Sequence, residues 1–336
     1  MILRPLFAIL LMLSLALPVR AAPYSAVYAF GDSLSDVGNV FTATGGMMPA
    51  PPYVDGQFSN GPVWVQGLAS ALGLPALTPS LLGGTNYAYG GAQSGASAVH
   101  TATAIDLTGP TGQLAQYFAT HPTSDPAALY TLWIGSNDVR AILTSGLAPA
   151  QVPGVLGQVV ANIDAAIIAL AASGAKDLLI VTVPDVGLIP AVRALGPTVQ
   201  AAATAVSAGL NGLLVSGGGP LPSLSALAAA YGLNLDVLDT FTLLNRAVAN
   251  PAAFGFNNVT DPCLTASGVC APTVAEQNRF LYWDDVHPSA GGHAFIAAAA
   301  VAVLEVPEPG TLALLGVGLA MVAVRRSYAA VTTNRR

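Results

Sequence analysis

Charge is scarce in this chain, and positive charge is scarcest. Only 8% of the 336 residues are charged, and six of the eleven basic ones (Arg4, Arg20, Arg325, Arg326, Arg335 and Arg336) crowd the two ends. Between residues 22 and 305, five basic residues stand against sixteen acidic ones, a net charge of −11. A surface that acidic repels phosphate backbones and anionic headgroups, which argues against nucleic acid as a partner. Cysteine is nearly missing too. Cys263 and Cys270 have no histidine beside them, so they do not make a zinc site. No P-loop, no Gly-x-Gly-x-x-Gly after a strand and no His-Glu-x-x-His occurs, so nucleotide and zinc chemistry lack support.

Apolar residues, in contrast, are abundant. Hydrophobic residues make up 53% of the chain, which predicts that some apolar stretches lie outside the globule. Residues 1–21 hold Arg4, an apolar run at 6–17 and then Pro18-Val19-Arg20-Ala21, the parts of a secretory signal peptide. The chain is therefore expected to be exported and cut after Ala21. At the other end, Val306-Pro307-Glu308-Pro309-Gly310 precedes fourteen apolar or small residues, 311–324, and then Arg325-Arg326. By length alone that run suits a core helix, since a spanning helix needs about 20 residues. Its two prolines detach it from what precedes, however, and an arginine pair stops translocation. The layout resembles the PEP-CTERM sorting signal of exported proteins from Gram-negative bacteria that make exopolysaccharide. That resemblance implies transient membrane contact through 311–324, a sorting protease acting near the Pro-Glu-Pro, and a final place in the cell envelope or outside the cell. The expected organisation is a signal peptide (1–21), one domain (22–305), a sorting and anchor segment (306–326) that would cross the membrane as a helix, and a short polar tail (327–336). In an exported chain, Cys263 and Cys270, close together in a turn-rich stretch, are expected to form a local disulfide.

Within the domain, short apolar runs rich in β-branched residues alternate with longer Ala/Leu-rich stretches. This pattern predicts an α/β protein with a mostly parallel sheet. Strands are expected at 26–30, 132–134, 178–183 and 233–238, and helices at 63–72, 152–173, 197–214 and 288–304. Each strand runs into polar or turn residues: Gly31-Asp32-Ser33, Gly135-Ser136-Asn137-Asp138, Pro184-Asp185 and Asp239-Thr240. In open parallel sheets the ligand sits beyond the carboxyl ends of the strands, so these segments should converge on one crevice.

Ser33, at a strand-to-turn junction, has a distant complement in Asp284-Asp285-Val286-His287. Acyl transfer needs a nucleophile, a base, a group that fixes the base, and donors where an oxyanion develops. Ser33 and His287 supply the first two. Asp284 lies one turn before His287 and can fix its tautomer, while Asp285 is expected to face solvent. There is no Gly-x-Ser-x-Gly elbow, which argues against the α/β-hydrolase fold. Four segments instead resemble the blocks of the GDSL, or SGNH, hydrolases, in family order. They are Gly31-Asp32-Ser33-Leu34-Ser35-Asp36-Val37-Gly38-Asn39, Asn86-Tyr87-Ala88-Tyr89-Gly90-Gly91-Ala92, Gly135-Ser136-Asn137-Asp138 and Trp283-Asp284-Asp285-Val286-His287-Pro288. Phe58-Ser59-Asn60-Gly61-Pro62-Val63-Trp64 is similar to a stretch of the longer secreted members. Gln57 stands where those often carry arginine, a difference expected to bear on the entrance to the site.

The resemblance implies a three-layer α/β/α, flavodoxin-like fold and an esterase or lipase with no metal or organic cofactor. It implies Ser33, Asp284 and His287 as the catalytic residues. The backbone N–H groups of Ser33 and Gly91 and the side-chain amide of Asn137 would be the oxyanion donors, with Gly90 the alternative to Gly91. Asp36 and Asp138 are expected to support loops, and His100, His121 and His293 to be structural. The substrate is expected to be a small-molecule or lipid ester. The alternatives are an O-deacetylase acting on polysaccharide and an inactive, surface-displayed binding protein.

Overall fold

The computed structural model of the chain describes residues 24–96 and 105–304. The expected signal peptide, the sorting segment, the tail and His100 lie outside the described residues. Four parallel strands, β1 (Val27–Gly31), β2 (Leu129–Trp133), β3 (Asp177–Val181) and β4 (Asn234–Leu238), pair in the order β1-β2-β3-β4. Strand β2 starts three residues earlier than expected. Its register against β1, from Val27 opposite Leu129 to Gly31 opposite Trp133, draws the whole run 129–133 into the sheet. The outer edge of β1 is not open. Residues 85–89 run alongside it, with Ala29 N–H donating to the Thr85 carbonyl (3.1 Å), Tyr87 N–H to Ala29 (2.7 Å) and Tyr89 N–H to Gly31 (3.1 Å).

Helices α1 (Asn39–Ala43), α2 (Trp64–Ala71), α3 (Gln113–Thr120), α4 (Ser136–Thr144), α5 (Val152–Ser173), α6 (Pro197–Ser216), α7 (Leu224–Tyr231), α8 (Thr240–Ala249) and α9 (Ala290–Val303) flank the sheet. Proline near the start and glycine just past the end bound both α5 and α6. Side chains alternate across a strand, and here the alternation sorts two cores. Tyr28, Phe30, Tyr130, Leu132, Leu178 and Ile180 join one cluster with the apolar stripes of α5 and α6. Ala29, Leu129, Trp133, Leu179 and Val181 are buried outside that cluster, as are Trp64 and Leu68 of α2 and Ile296 of α9. Trp64 and Trp133 meet edge to face with ring centres 5.4 Å apart. A sheet buried on both faces needs the near-continuous apolar strands this sequence has.

After α8 the chain forms β5 (Asn258–Pro262), parallel to β6 (Phe280–Tyr282). Between them is a hairpin of residues 264–265 and 268–269. Cys263 and Cys270 are joined by a disulfide across its base, as expected. Cys263 N–H donates to the Tyr282 carbonyl (3.1 Å) and Leu264 N–H to that of Trp283 (2.6 Å), so the stapled hairpin is fastened to the segment that leads to Asp284.

Candidate active site

Strand β1 ends at Gly31, whose φ of +154° and close approach to the Trp133 carbonyl oxygen leave no room for a Cβ. Gln113, at the start of α3, clamps this residue from both sides. Its Oε1 accepts the Gly31 N–H (2.9 Å) and its Nε2 donates to the Gly31 carbonyl (2.7 Å). The Asp32 carbonyl then accepts the N–H groups of Ser35 and Asp36, both at 3.0 Å, which closes a tight turn around Ser33. Ser33 is 7% exposed, and its Oγ lies 2.8 Å from His287 Nε2.

The histidine is held by a second turn. Asp284 Oδ1 accepts the N–H groups of Val286 (2.7 Å) and His287 (2.6 Å), the Asx-turn geometry that a short acidic side chain favours. Asp284 Oδ2 lies 2.7 Å from His287 Nδ1 and accepts a second bond, from the Tyr53 hydroxyl, at 2.7 Å. Burial works against the Asp284 charge. The electrostatic attraction of the neighbouring His287 and the hydrogen bonds from His287 and Tyr53 outweigh it and hold the carboxyl down at about 2. An ionised Asp284 keeps the proton on Nδ1, which leaves Nε2 to accept from the Ser33 hydroxyl. Asp285 is exposed, as expected.

The Phe58-Ser59-Asn60 stretch fastens this loop. Phe58 lies against the His287 ring, with centres 5.3 Å apart and planes tilted by 35°. The Ser59 hydroxyl donates to the Pro288 carbonyl (3.0 Å), and Asn60 Oδ1 accepts the Ala290 N–H (2.7 Å). Gln57 corrects the expectation of a residue at the entrance. Its side chain is buried, and Oε1 accepts the Val63 N–H at 3.1 Å, because α2 starts there and its first amides need acceptors.

Residues 85–89 carry the glycine pair to the same end of the sheet. Gly90 N–H donates to Asp36 Oδ2 (2.9 Å), while Asp36 Oδ1 accepts the N–H groups of Gly38 (2.7 Å) and Asn39 (2.6 Å). Gly91 has φ +80°, and neither its N–H nor that of Ser33 has a hydrogen-bond partner among the described residues. Asn137, in the first turn of α4, donates one hydrogen of Nδ2 to the Ala92 carbonyl (2.9 Å); a primary amide carries a second. Arg140 donates to Asn137 Oδ1 at 3.3 Å. Asp138 takes the Ser94 N–H (3.0 Å) and hydroxyl (2.8 Å), and its burial pushes the carboxyl up to about 6.

His293 is fully buried and its Nδ1 accepts the Trp64 N–H at 3.3 Å, while His121 stacks on Tyr117. Beside Ser33 lies a cavity of about 40 Å³. Its lining includes Ser33 and Asn137 together with the apolar Leu34, Pro184, Val186, Ile189 and Leu244. Tyr53 and Gln113 were not legible in the sequence. Tyr53 lies 231 positions from the carboxylate it meets, in a Gly/Pro-rich stretch with no periodic pattern.

A serine, a histidine and an aspartate in hydrogen-bonded series at the carboxyl end of a parallel sheet define a serine-hydrolase type of site. The GDSL-like Lipase/Acylhydrolase family profile matches residues 27–300, and the chain belongs to that family. Residues 305–327 match the PEP-CTERM protein-sorting motif, which marks the chain for export in Gram-negative bacteria. The chain is 30% identical to the thermolabile hemolysin of Vibrio parahaemolyticus over 81% of its own length and 62% of the hemolysin. It therefore spans less than two thirds of that relative. It is also 26% identical to the phosphatidylcholine-sterol acyltransferase of Aeromonas hydrophila, over 86% of this chain and 94% of that one. Among solved structures, the acetylxylan esterase Axe2 of Geobacillus stearothermophilus aligns with 85% of this chain and 97% of its own at 16% identity, with a TM-score of 0.44.

Proposed function

We propose that this chain is an exported hydrolase of carboxylic esters that works through an acyl-enzyme on Ser33. The observation that carries the reading is the series Ser33 Oγ, His287 Nε2, His287 Nδ1 and Asp284 Oδ2, with steps of 2.8 and 2.7 Å. Ser33 Oγ attacks the ester carbonyl while His287 Nε2 takes its proton, and Asp284 stabilises the imidazolium. The oxyanion is received by the N–H groups of Ser33 and Gly91 and the spare hydrogen of Asn137 Nδ2. Gly90 is not a donor in this reading because its N–H is committed to Asp36. His287 then protonates the leaving alcohol, and water repeats the steps in reverse. The apolar lining of the cavity beside Ser33 suits the acyl group.

On the same reading the signal peptide is removed after Ala21, a sorting protease processes the tail near Pro307-Glu308-Pro309, and residues 311–324 touch the membrane in passing. The mature domain then works in the cell envelope or outside the cell. The small cavity favours a second reading, removal of acetyl groups from polysaccharide. One panel separates these readings. The protein is assayed on p-nitrophenyl esters from acetate to octanoate and on acetylated xylan, beside Ser33→Ala. Hydrolysis that extends to butyrate and beyond supports the esterase or lipase, and activity on acetyl esters alone supports the deacetylase. Equal inertness of wild type and variant sinks both and leaves the inactive binding protein.

A further inference from the structure

Residues 45–54 read Gly-Gly-Met-Met-Pro-Ala-Pro-Pro-Tyr-Val, ten residues without a charge. Met47 and Met48 are 71% and 56% exposed, and Val54 is 38% exposed. The turn 80–82 adds Leu81 and Leu82, also exposed. Both pieces are mounted on α1. Asn39, at its head, accepts the Ser80 hydroxyl and the Leu81 N–H, each at 3.2 Å, and Thr44, just past its end, takes the Met48 N–H at 3.0 Å. Large apolar side chains scattered singly on a surface need no explanation, but clustered ones mark an interaction site. Here five of the ten large exposed apolar side chains among the described residues fall between positions 47 and 82. The same segment enters the candidate active site, through Tyr53 on Asp284 and Phe58 against His287.

We propose that this apolar loop seats the protein on an uncharged or zwitterionic lipid surface, so that its ester substrates are those such a surface presents. The inference rests on the ester-hydrolase reading above and names its substrate class. The occupant follows from chemistry. Flexible methionines adapt to an irregular apolar boundary, whereas a polysaccharide demands hydrogen-bonding groups that residues 45–52 do not offer in their side chains. A net charge of −11 across residues 22–305 turns the domain away from anionic headgroups.

The full chain is tested with phosphatidylcholine vesicles. Trp64, Trp133 and Trp283 are each 1% exposed, so in Met48→Trp a change of emission on adding vesicles reports this loop and not the tail. A blue shift is expected. In kinetics, Met47→Asp with Met48→Asp should lower hydrolysis of a long-chain ester carried in the vesicles at least tenfold and leave soluble p-nitrophenyl acetate unchanged. Tyr231→Asp, a single added negative charge at an exposed site that precedes β4 and so lies at the other end of the sheet, should alter neither rate. Unchanged emission with vesicles, or an equal loss on the soluble ester, overturns the proposal. So does a shift that appears without vesicles as protein concentration rises, because a second copy then covers the loop. If the wild type is inert on every soluble ester, the hydrolase reading is what has failed, and the emission still decides whether the loop docks.

Discussion

Tyr53 donates its hydroxyl hydrogen to the same Asp284 oxygen that faces His287, each partner at 2.7 Å. The carboxylate thus divides its charge between the two. Replacing Tyr53 with phenylalanine leaves all of that charge to the imidazolium, which then holds its proton more firmly. Tyr53→Phe is expected to move the acid limb of the kcat/KM profile to higher pH, with a several-fold loss near pH 6 that fades by pH 9. A uniform loss at every pH would reduce Tyr53 to a packing role.

Asn137 separates transition-state binding from ground-state binding. Losing one oxyanion donor typically costs about 10²–10³-fold in kcat. Asn137→Ala is expected to show that loss with a KM close to wild type, while Ser33→Ala falls to background with an unchanged melting temperature. A mainly raised KM in Asn137→Ala would remove it from the oxyanion site.

Asp164, in α5, is 5% exposed, and neither of its carboxylate oxygens has a hydrogen-bond partner among the described residues. Burial raises it from 3.8 to about 6. The folded state therefore holds this proton more tightly than the unfolded chain. The corresponding stability is present below pH 3.8 and is lost as pH rises through about 6. Asp164→Asn should melt higher than wild type at pH 8, by on the order of 1–3 kcal/mol for removal of an unpaired buried charge. The advantage should shrink at pH 5. Equal melting at pH 8 would show that the carboxylate is solvated.

The Cys263–Cys270 disulfide closes a short loop, for which the chain-entropy estimate is about 2–3 kcal/mol. Because the hairpin is bonded to the Tyr282 and Trp283 carbonyls, Cys263→Ser with Cys270→Ser should loosen the Asp284 segment. Expected outcomes are a lower denaturation midpoint in urea and a kcat loss that excess dithiothreitol reproduces in the wild type. A lower midpoint with full kcat would confine the disulfide to stability.

Much of the fold could be read locally. The limits of α5 were legible because proline and glycine punctuate it, and β1 and β4 because short apolar runs end in turn residues. The start of β2 was not, since Ala127-Ala128-Leu129 carries no strand signal and only pairing with β1 sets it. The strip 85–89 has too few pairings to show as a strand pattern, yet it covers the edge of β1 and delivers Gly91.

The chemical groups and their order were legible residue by residue: a serine in a tight turn, a glycine pair, an asparagine at a helix start, and an aspartate one turn before a histidine. These are local properties, set by residue type and spacing over a few positions. Which groups are already bound to a partner emerged from packing alone. Gly90 is bound by Asp36, Gln57 by α2, Asp284 by Tyr53, and Gly31 by Gln113. A buried polar group must find a partner wherever the packed chain puts one, and these partners lie as much as 231 residues apart.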